Sequence, residues 1–228
     1  MNGTLFVVAT PIGNLEDITF RAVRVLKEVD VVACEDTRVT KKLLAHYDIH
    51  APTISYHAYS SDARHDEIVA LLRDGKHVAL VTDAGTPGVS DPGAMLVSRV
   101  REACGDTVRI VPIPGASALT AALSVAGLGV SEFVFTGFVP HKKGRATLMK
   151  MIADEPRAVV MYESTHRIVK LLEELAVAVP TRHVFIAREA TKMFEEYRRG
   201  NPAKLLAWYT EHPDTVRGEF VVIVTPLV

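Results

Sequence analysis

Apolar residues along this chain follow two rhythms in turn. Residues 5–9 form a near-continuous apolar run, as a strand buried on both faces requires. Ile18, Ala22, Val25, Leu26 and Val29 then recur at helical spacing. Strand-like runs follow at 31–34, 53–56, 78–81 and 108–113, with helical stretches at 41–47, 66–73, 94–104 and 118–126 between them. Strand and helix in alternation predict a parallel sheet with right-handed crossovers.

The pattern breaks at Gly127-Leu128-Gly129-Val130-Ser131 and resumes at Phe133. Strand-like runs lie at 133–137, 158–162, 183–187 and 219–224, and helical stretches at 146–152, 168–177 and 203–208. The alternating run 194–198 reads as an edge strand whose neighbour, 219–224, pairs with it antiparallel. The expectation is two α/β domains with a cleft between them, over 1–115 and 116–228. The first would hold a parallel sheet and the second a mixed one. The helix at 118–126 is compatible with either side of the boundary.

Of the 228 residues, 48% are hydrophobic and 23% charged, which excludes disorder and leaves ample apolar surface for packed cores. A net charge of -1 offers no global field for nucleic acid, so any such contact must come from local patches. Cys34 falls in a strand and Cys104 at a helix end, which reads as two reduced cysteines rather than a disulfide framework. The start of the chain has no basic leader, and no apolar run reaches membrane length, so a cytoplasmic location is expected. The histidines show no paired-ligand spacing and the cysteines are far apart, so no metal is expected. His46, His50, His57 and His65 read as scattered surface residues.

Open α/β sheets bind ligands at the carboxyl ends of their strands. Four loops fall there. They are Thr10-Pro11-Ile12-Gly13-Asn14, Glu35-Asp36-Thr37-Arg38, the stretch from Thr82 through Asp83, Ala84, Gly85 and Val89 to Gly93, and Pro112-Ile113-Pro114-Gly115-Ala116-Ser117. Three glycines and two prolines from Thr82 to Gly93 suit a backbone that approaches a ligand closely along a stiff path. The chain lacks the glycine fingerprints of dinucleotide and P-loop sites and the serine elbow of α/β-hydrolases. Taken alone, Glu35 to Arg38, Glu163 to Arg167 and Arg188 to Lys192 each read as a helix cap with a surface ion pair. Three such clusters at three strand ends are harder to dismiss. The dense basic run His141-Lys142-Lys143-Gly144-Arg145 either grips phosphates or forms a solvated loop tip. Phe138 before it either stacks on a base or, more simply, sits in the core.

Together these strings resemble the ribosomal RNA small subunit methyltransferase I family of the tetrapyrrole-methylase superfamily. The resemblance runs through Val8 to Leu15, Glu35 to Arg38, Asp83 to Pro87 with Ser90 to Gly93, and Pro114 to Ala118. It continues through Gly137 to Pro140 with Lys142, Tyr162 to Ser164 with His166 and Arg167, and Arg188, Glu189, Thr191 and Lys192. It implies the two-domain tetrapyrrole-methylase fold, a homodimer, and S-adenosylmethionine as cofactor. The implied reaction is 2′-O-methylation of a decoding-centre cytidine in 16S rRNA within the small ribosomal subunit. By the same resemblance Pro11, Asp83, Ala84, Gly85, Val89, Ser117, Ala118 and Tyr162 line the cofactor cleft. The sequence departs from the family where a histidine-rich string is usual and His57-Ala58-Tyr59-Ser60 stands instead, and at Thr82, Thr165 and Ala190. Many relatives continue past the final strand, which bears on RNA contacts more than on the cofactor.

Methyl transfer to a ribose hydroxyl needs an acceptor held in line and help in removing its proton. Glu35, Asp36, Asp83 and Glu189 are the candidate carboxylates, with Arg38 and Lys192 as stabilisers of phosphate or alkoxide. The sequence does not choose among them. The alternatives are a tetrapyrrole C-methyltransferase on the same fold, against which the basic loop argues, and a non-catalytic RNA-binding protein.

Overall fold

The computed structural model describes residues 2–129 and 131–227. Val130, within the predicted break, and the two terminal residues of the expected domains lie outside the described residues. The chain divides into two compact units, Met1–Ser117 and Ala118–Val228.

Among the described residues, the first unit holds a five-stranded sheet in the order β3-β2-β4-β1-β5. Its strands are β1 (Thr4–Val8), β2 (Val31–Cys34), β3 (Thr53–Ser55), β4 (Val78–Val81) and β5 (Arg109–Ile113). Every neighbouring pair is parallel. The crossover helices are α1 (Phe20–Glu28), α2 (Thr37–His46), α3 (Asp62–Arg73) and α4 (Gly93–Cys104). The period-two alternation of the strands sends Leu5, Ala33, Val78 and Leu80 to a core shared with Ile68, Leu72, Leu96 and Val100 of α3 and α4. It sends Val8, Val32, Ala79 and Val81 to the opposite core, with Ala22, Val25 and Leu26 of α1 and Leu44 of α2. Burial on both faces explains the near-continuous apolar runs.

α2 and α3 begin a turn earlier than apolar spacing alone suggests. α2 starts at Thr37, four residues before the predicted 41, because the Asp36 carboxylate accepts from the Arg38 N–H at 2.8 Å and caps it. α3 starts at Asp62, with Ser61 at its N-cap position but no side-chain cap bond. Capping turns are polar, so hydrophobic periodicity does not register them. His65 is not a surface residue: it is buried on α3, its ring 3.0 Å from the Tyr56 hydroxyl.

The second unit holds, among the described residues, a five-stranded sheet in the order β6-β7-β10-β8-β9. The strands are β6 (Phe133–Phe138), β7 (Ala158–Ser164), β8 (Val184–Arg188), β9 (Glu196–Gly200) and β10 (Glu219–Val224). β6 and β7 are parallel and all other pairs antiparallel, which makes the sheet mixed as expected. The predicted neighbour of the edge strand is corrected. β9 pairs with β8, and β10 lies between β7 and β8. A hairpin joins β8 to β9 directly, and β10, buried along most of its length, takes a central place. α6 (Arg145–Asp154), α7 (Ile168–Ala178) and α8 (Pro202–Glu211) cover one face and α5 (Ala118–Ala126) the other.

Candidate active site

In the first unit the loops past β1, β2, β4 and β5 come together. Thr10 and Gly85 form an isolated antiparallel bridge, with the Thr10 N–H donating to the Gly85 carbonyl at 2.9 Å and the Gly85 N–H returning to Thr10 at 3.1 Å. Thr86 Oγ1 donates to the Ala116 carbonyl at 3.2 Å, which ties in the loop past β5. Gly85 has φ +85, and a Cβ there would lie 3.4 Å from Ile12 Cγ2. The turn therefore needs a residue free to adopt the left-handed region. Asp91 braces the rest of the loop, its carboxylate accepting from Gly88 N–H at 2.8 Å and Gly93 N–H at 2.7 Å. Pro11 is buried, whereas Asp83, Ala84 and Val89 are exposed.

Glu35, Asp36 and Asp83 gather at this edge. Asp83 Oδ1 accepts from the Asp36 N–H at 3.0 Å, and the Thr82 hydroxyl donates to Glu35 Oε2 at 3.3 Å. Glu35, Tyr56, Thr82, Asp91, Pro92 and Gly93 line a shallow recess that opens to solvent. Burial and then the negative charges of Asp83 and Asp91 push the Glu35 carboxyl above its ordinary value. Asp36 goes the other way. Hydrogen bonds from the Arg38 side chain and backbone lower it to about 2. Arg38, largely exposed, closes on Asp36 at 2.7 Å.

Glu189 and Lys192 stand in the second unit. Lys192 Nζ sits 2.8 Å from Glu189 Oε1 and 2.8 Å from Glu219 Oε2, and Glu189 Oε1 also accepts from the Glu219 N–H at 2.9 Å. Burial works to raise Glu189, but Lys192 and the Glu219 N–H hold it below its ordinary value. Burial likewise opposes the charge on Lys192, and the two carboxylates outweigh it and raise the ammonium. The turn carrying them is strained, with Glu189 at φ 50 and Thr191 at φ 68. Tyr162, half-buried on β7, is raised by burial. Ser117 and Ala118 are partly buried at the junction of the two units' sequences.

Two expectations for the basic loop are corrected. Arg145 is not a free cation. Its side chain is 6% exposed and binds Glu174 at 2.7 Å and Glu163 at 3.4 Å. A buried guanidinium requires such partners, and the fully buried Glu163 carboxylate needed a cation beneath it. Lys142 and Lys143 remain exposed. Phe138 is not a core residue but 55% exposed. Sequence reasoning missed Glu174 and Asp91 as organising groups and took Glu163, which is buried, for part of a surface ion pair; the spacing of Asp91 from Gly88 and Gly93 was the available signal for that residue. Among the described residues no three His, Cys, Asp or Glu groups converge to hold a metal, and no helix is long and apolar enough to cross a membrane.

The class of this two-unit α/β chain is that of the tetrapyrrole methylases: residues 4–206 match the family described as Tetrapyrrole (Corrin/Porphyrin) Methylases. The crystal structure of uroporphyrin-III C-methyl transferase from Thermus thermophilus complexed with S-adenyl homocysteine matches with a TM-score of 0.66 at 22% identity, covering 98% of this chain and 97% of that one. At that identity the likeness speaks for the fold alone. Ribosomal RNA small subunit methyltransferase I of Escherichia coli O157:H7 is 46% identical over 97% of this chain and 77% of its own length. The protein of that name from Synechocystis sp. is 45% identical over 97% of this chain and 78% of its own. The chain belongs to the tetrapyrrole methylases and, within them, to the ribosomal RNA small subunit methyltransferase I family.

Proposed function

We propose that this chain transfers the methyl group of S-adenosylmethionine to the ribose 2′-hydroxyl of a decoding-centre cytidine in 16S rRNA. The observation that carries the reading is the near-full-length likeness to relatives named for small-subunit ribosomal RNA methylation. The loops fit the cofactor on their own chemistry. Gly85 leaves open a space that a side chain would narrow, and Glu35, Asp83 and Asp91 concentrate negative charge. A sulfonium that also carries an ammonium group is attracted by such a field. Pro11, Asp83, Ala84, Gly85, Val89, Ser117, Ala118 and Tyr162 are the residues proposed to hold it. When bound, it supplies an electrophilic methyl carbon on a good leaving group.

The remaining work belongs to the chain. Glu35 is the proposed proton acceptor, because it lines the recess without a cation on its carboxylate, and burial holds that carboxyl above its ordinary value. Asp36, lowered to about 2 beneath Arg38, is a poor one, and Glu189 is neutralised by Lys192. These two pairs are proposed to orient and charge-stabilise the acceptor through Arg38 and Lys192. Lys142 and Lys143 would contact phosphates. We further propose a cytoplasmic homodimer. Two buried free cysteines suit a reducing compartment, and symmetric pairing enlarges a small basic platform.

The test is tritium transfer from labelled cofactor to small ribosomal subunits, followed by mapping of the label. A single labelled cytidine ribose is expected. Label on a base carbon, or none, would sink the proposal.

A further inference from the structure

β6 carries an irregularity that redirects one aromatic side chain. Phe135 lies across from Val160 on β7, yet Phe138 lies across from Tyr162, so three residues on β6 span two on β7. Gly137, at φ 67, absorbs the extra residue. Such bulges re-aim side chains. Without it Gly137 would face Tyr162. With it Phe138 joins Phe135 on the same face, their rings 5.4 and 5.0 Å from the Tyr162 ring in edge contacts. Phe135 is largely covered, and Phe138 is left 55% exposed at the strand end.

The exposure is held in place. Val139 is buried immediately after it, and its carbonyl accepts from Arg167 Nη1 at 2.9 Å. The Pro140 carbonyl accepts from Arg145 Nη1 at 3.2 Å. Both guanidiniums bind the buried Glu163 carboxylate, at 2.9 and 3.4 Å. A buried ion cluster thus clamps the backbone of the turn that presents Phe138 outward. Exposed Lys142 and Lys143 follow within the same turn.

We propose that Phe138 is a base-stacking residue for the RNA substrate, and that Arg145 and Arg167, through Glu163, are its positioning residues. A rigid aromatic face beside exposed cations suits a ligand that alternates planar bases with phosphates. The adenine of a cofactor without phosphates would not call for the two lysines. The inference rests on the proposed RNA methylation.

The test uses Phe138→Ala and Phe138→Trp in the full chain, with the KM for small ribosomal subunits measured at saturating cofactor and cofactor affinity measured by calorimetry. Loss of a stacking face should raise the KM of Phe138→Ala roughly tenfold. Phe138→Trp should restore it, with cofactor affinity unchanged in both. The salt dependence should stay parental in Phe138→Ala and flatten in a Lys142→Ala/Lys143→Ala variant, which separates stacking from phosphate contact. A parental KM in Phe138→Ala overturns the proposal. So does a parallel loss of cofactor affinity, which would place the ring against the cofactor. If the parent itself transfers no methyl group to subunits, the functional reading falls. Direct binding of subunits then decides the stacking role, weaker in Phe138→Ala if it holds and equal if it does not.

Discussion

Four carboxylates stood level in the sequence, and their surroundings separate them. Glu35 sits against a recess with Asp83 and Asp91 as neighbours, while Asp36 and Glu189 each carry a cation. The folded Glu35 carboxyl titrates above its ordinary 4.5, so the folded chain holds that proton more tightly than the unfolded one. The stability contributed is complete below the unfolded value and is lost as pH rises through the folded value. At neutral pH the parent therefore carries an ionised, repelled carboxylate that Glu35→Gln removes. Melting curves should show the variant more stable than the parent at neutral pH, with the gap closing below 4.5. Its methyl transfer should fall by about 100-fold or more, the usual share of a positioned base. A variant with parental turnover would remove Glu35 as the proton acceptor.

At the scale of elements, two devices hold loops in shape. The first is the Thr10–Gly85 bridge. Gly85→Val forces a branched side chain into a left-handed conformation, which costs about 1–2 kcal/mol, and crowds Ile12. The variant should fold with a lowered melting temperature and lose cofactor binding in calorimetry; unchanged affinity would mean that the loop is not the cofactor site. The second device is the buried set of Arg145, Arg167, Glu163 and Glu174. Arg145→Met leaves Glu163 with one cation and Glu174 with none from this cluster. The expected loss is about 3 kcal/mol, read from the urea midpoint at constant m. A loss within about 0.5 kcal/mol, the range of ordinary surface substitutions, would return Arg145 to the surface cations.

At the scale of the whole molecule, charge and assembly matter most. A net charge of -1 gives no long-range pull toward a polyanion, so contact with RNA has to come from local patches, of which a dimer would carry two. Light scattering at micromolar concentration should give twice the 24.9 kDa of one chain. A mass of one chain across that range would rule the homodimer out.

Apolar rhythm by itself determined the order of strands and helices and the parallel first sheet; the second sheet is mixed as expected, but through β10 against β7 and β8 rather than against β9. Burial on both faces leaves a continuous apolar signature, as in Val78–Val81, and short runs of this kind bounded by turn residues read as strands. The strings past those strands also marked the loops that the Thr10–Gly85 bridge and the Thr86–Ala116 hydrogen bond bring together, because glycine and proline constrain the backbone locally. The partner of the edge strand β9 was not legible, since pairing is set by hairpin closure and by where β10 inserts. Arg145 and Lys142 look alike as letters. Only the fold put a carboxylate behind one and water around the other. The outward turn of Phe138 depends on a one-residue shift against β7, and the raised carboxyl of Glu35 depends on its burial and then on two acids 48 and 56 positions further along the chain. Tertiary contact decided both, because register and electrostatic field are properties of neighbours in space rather than in sequence.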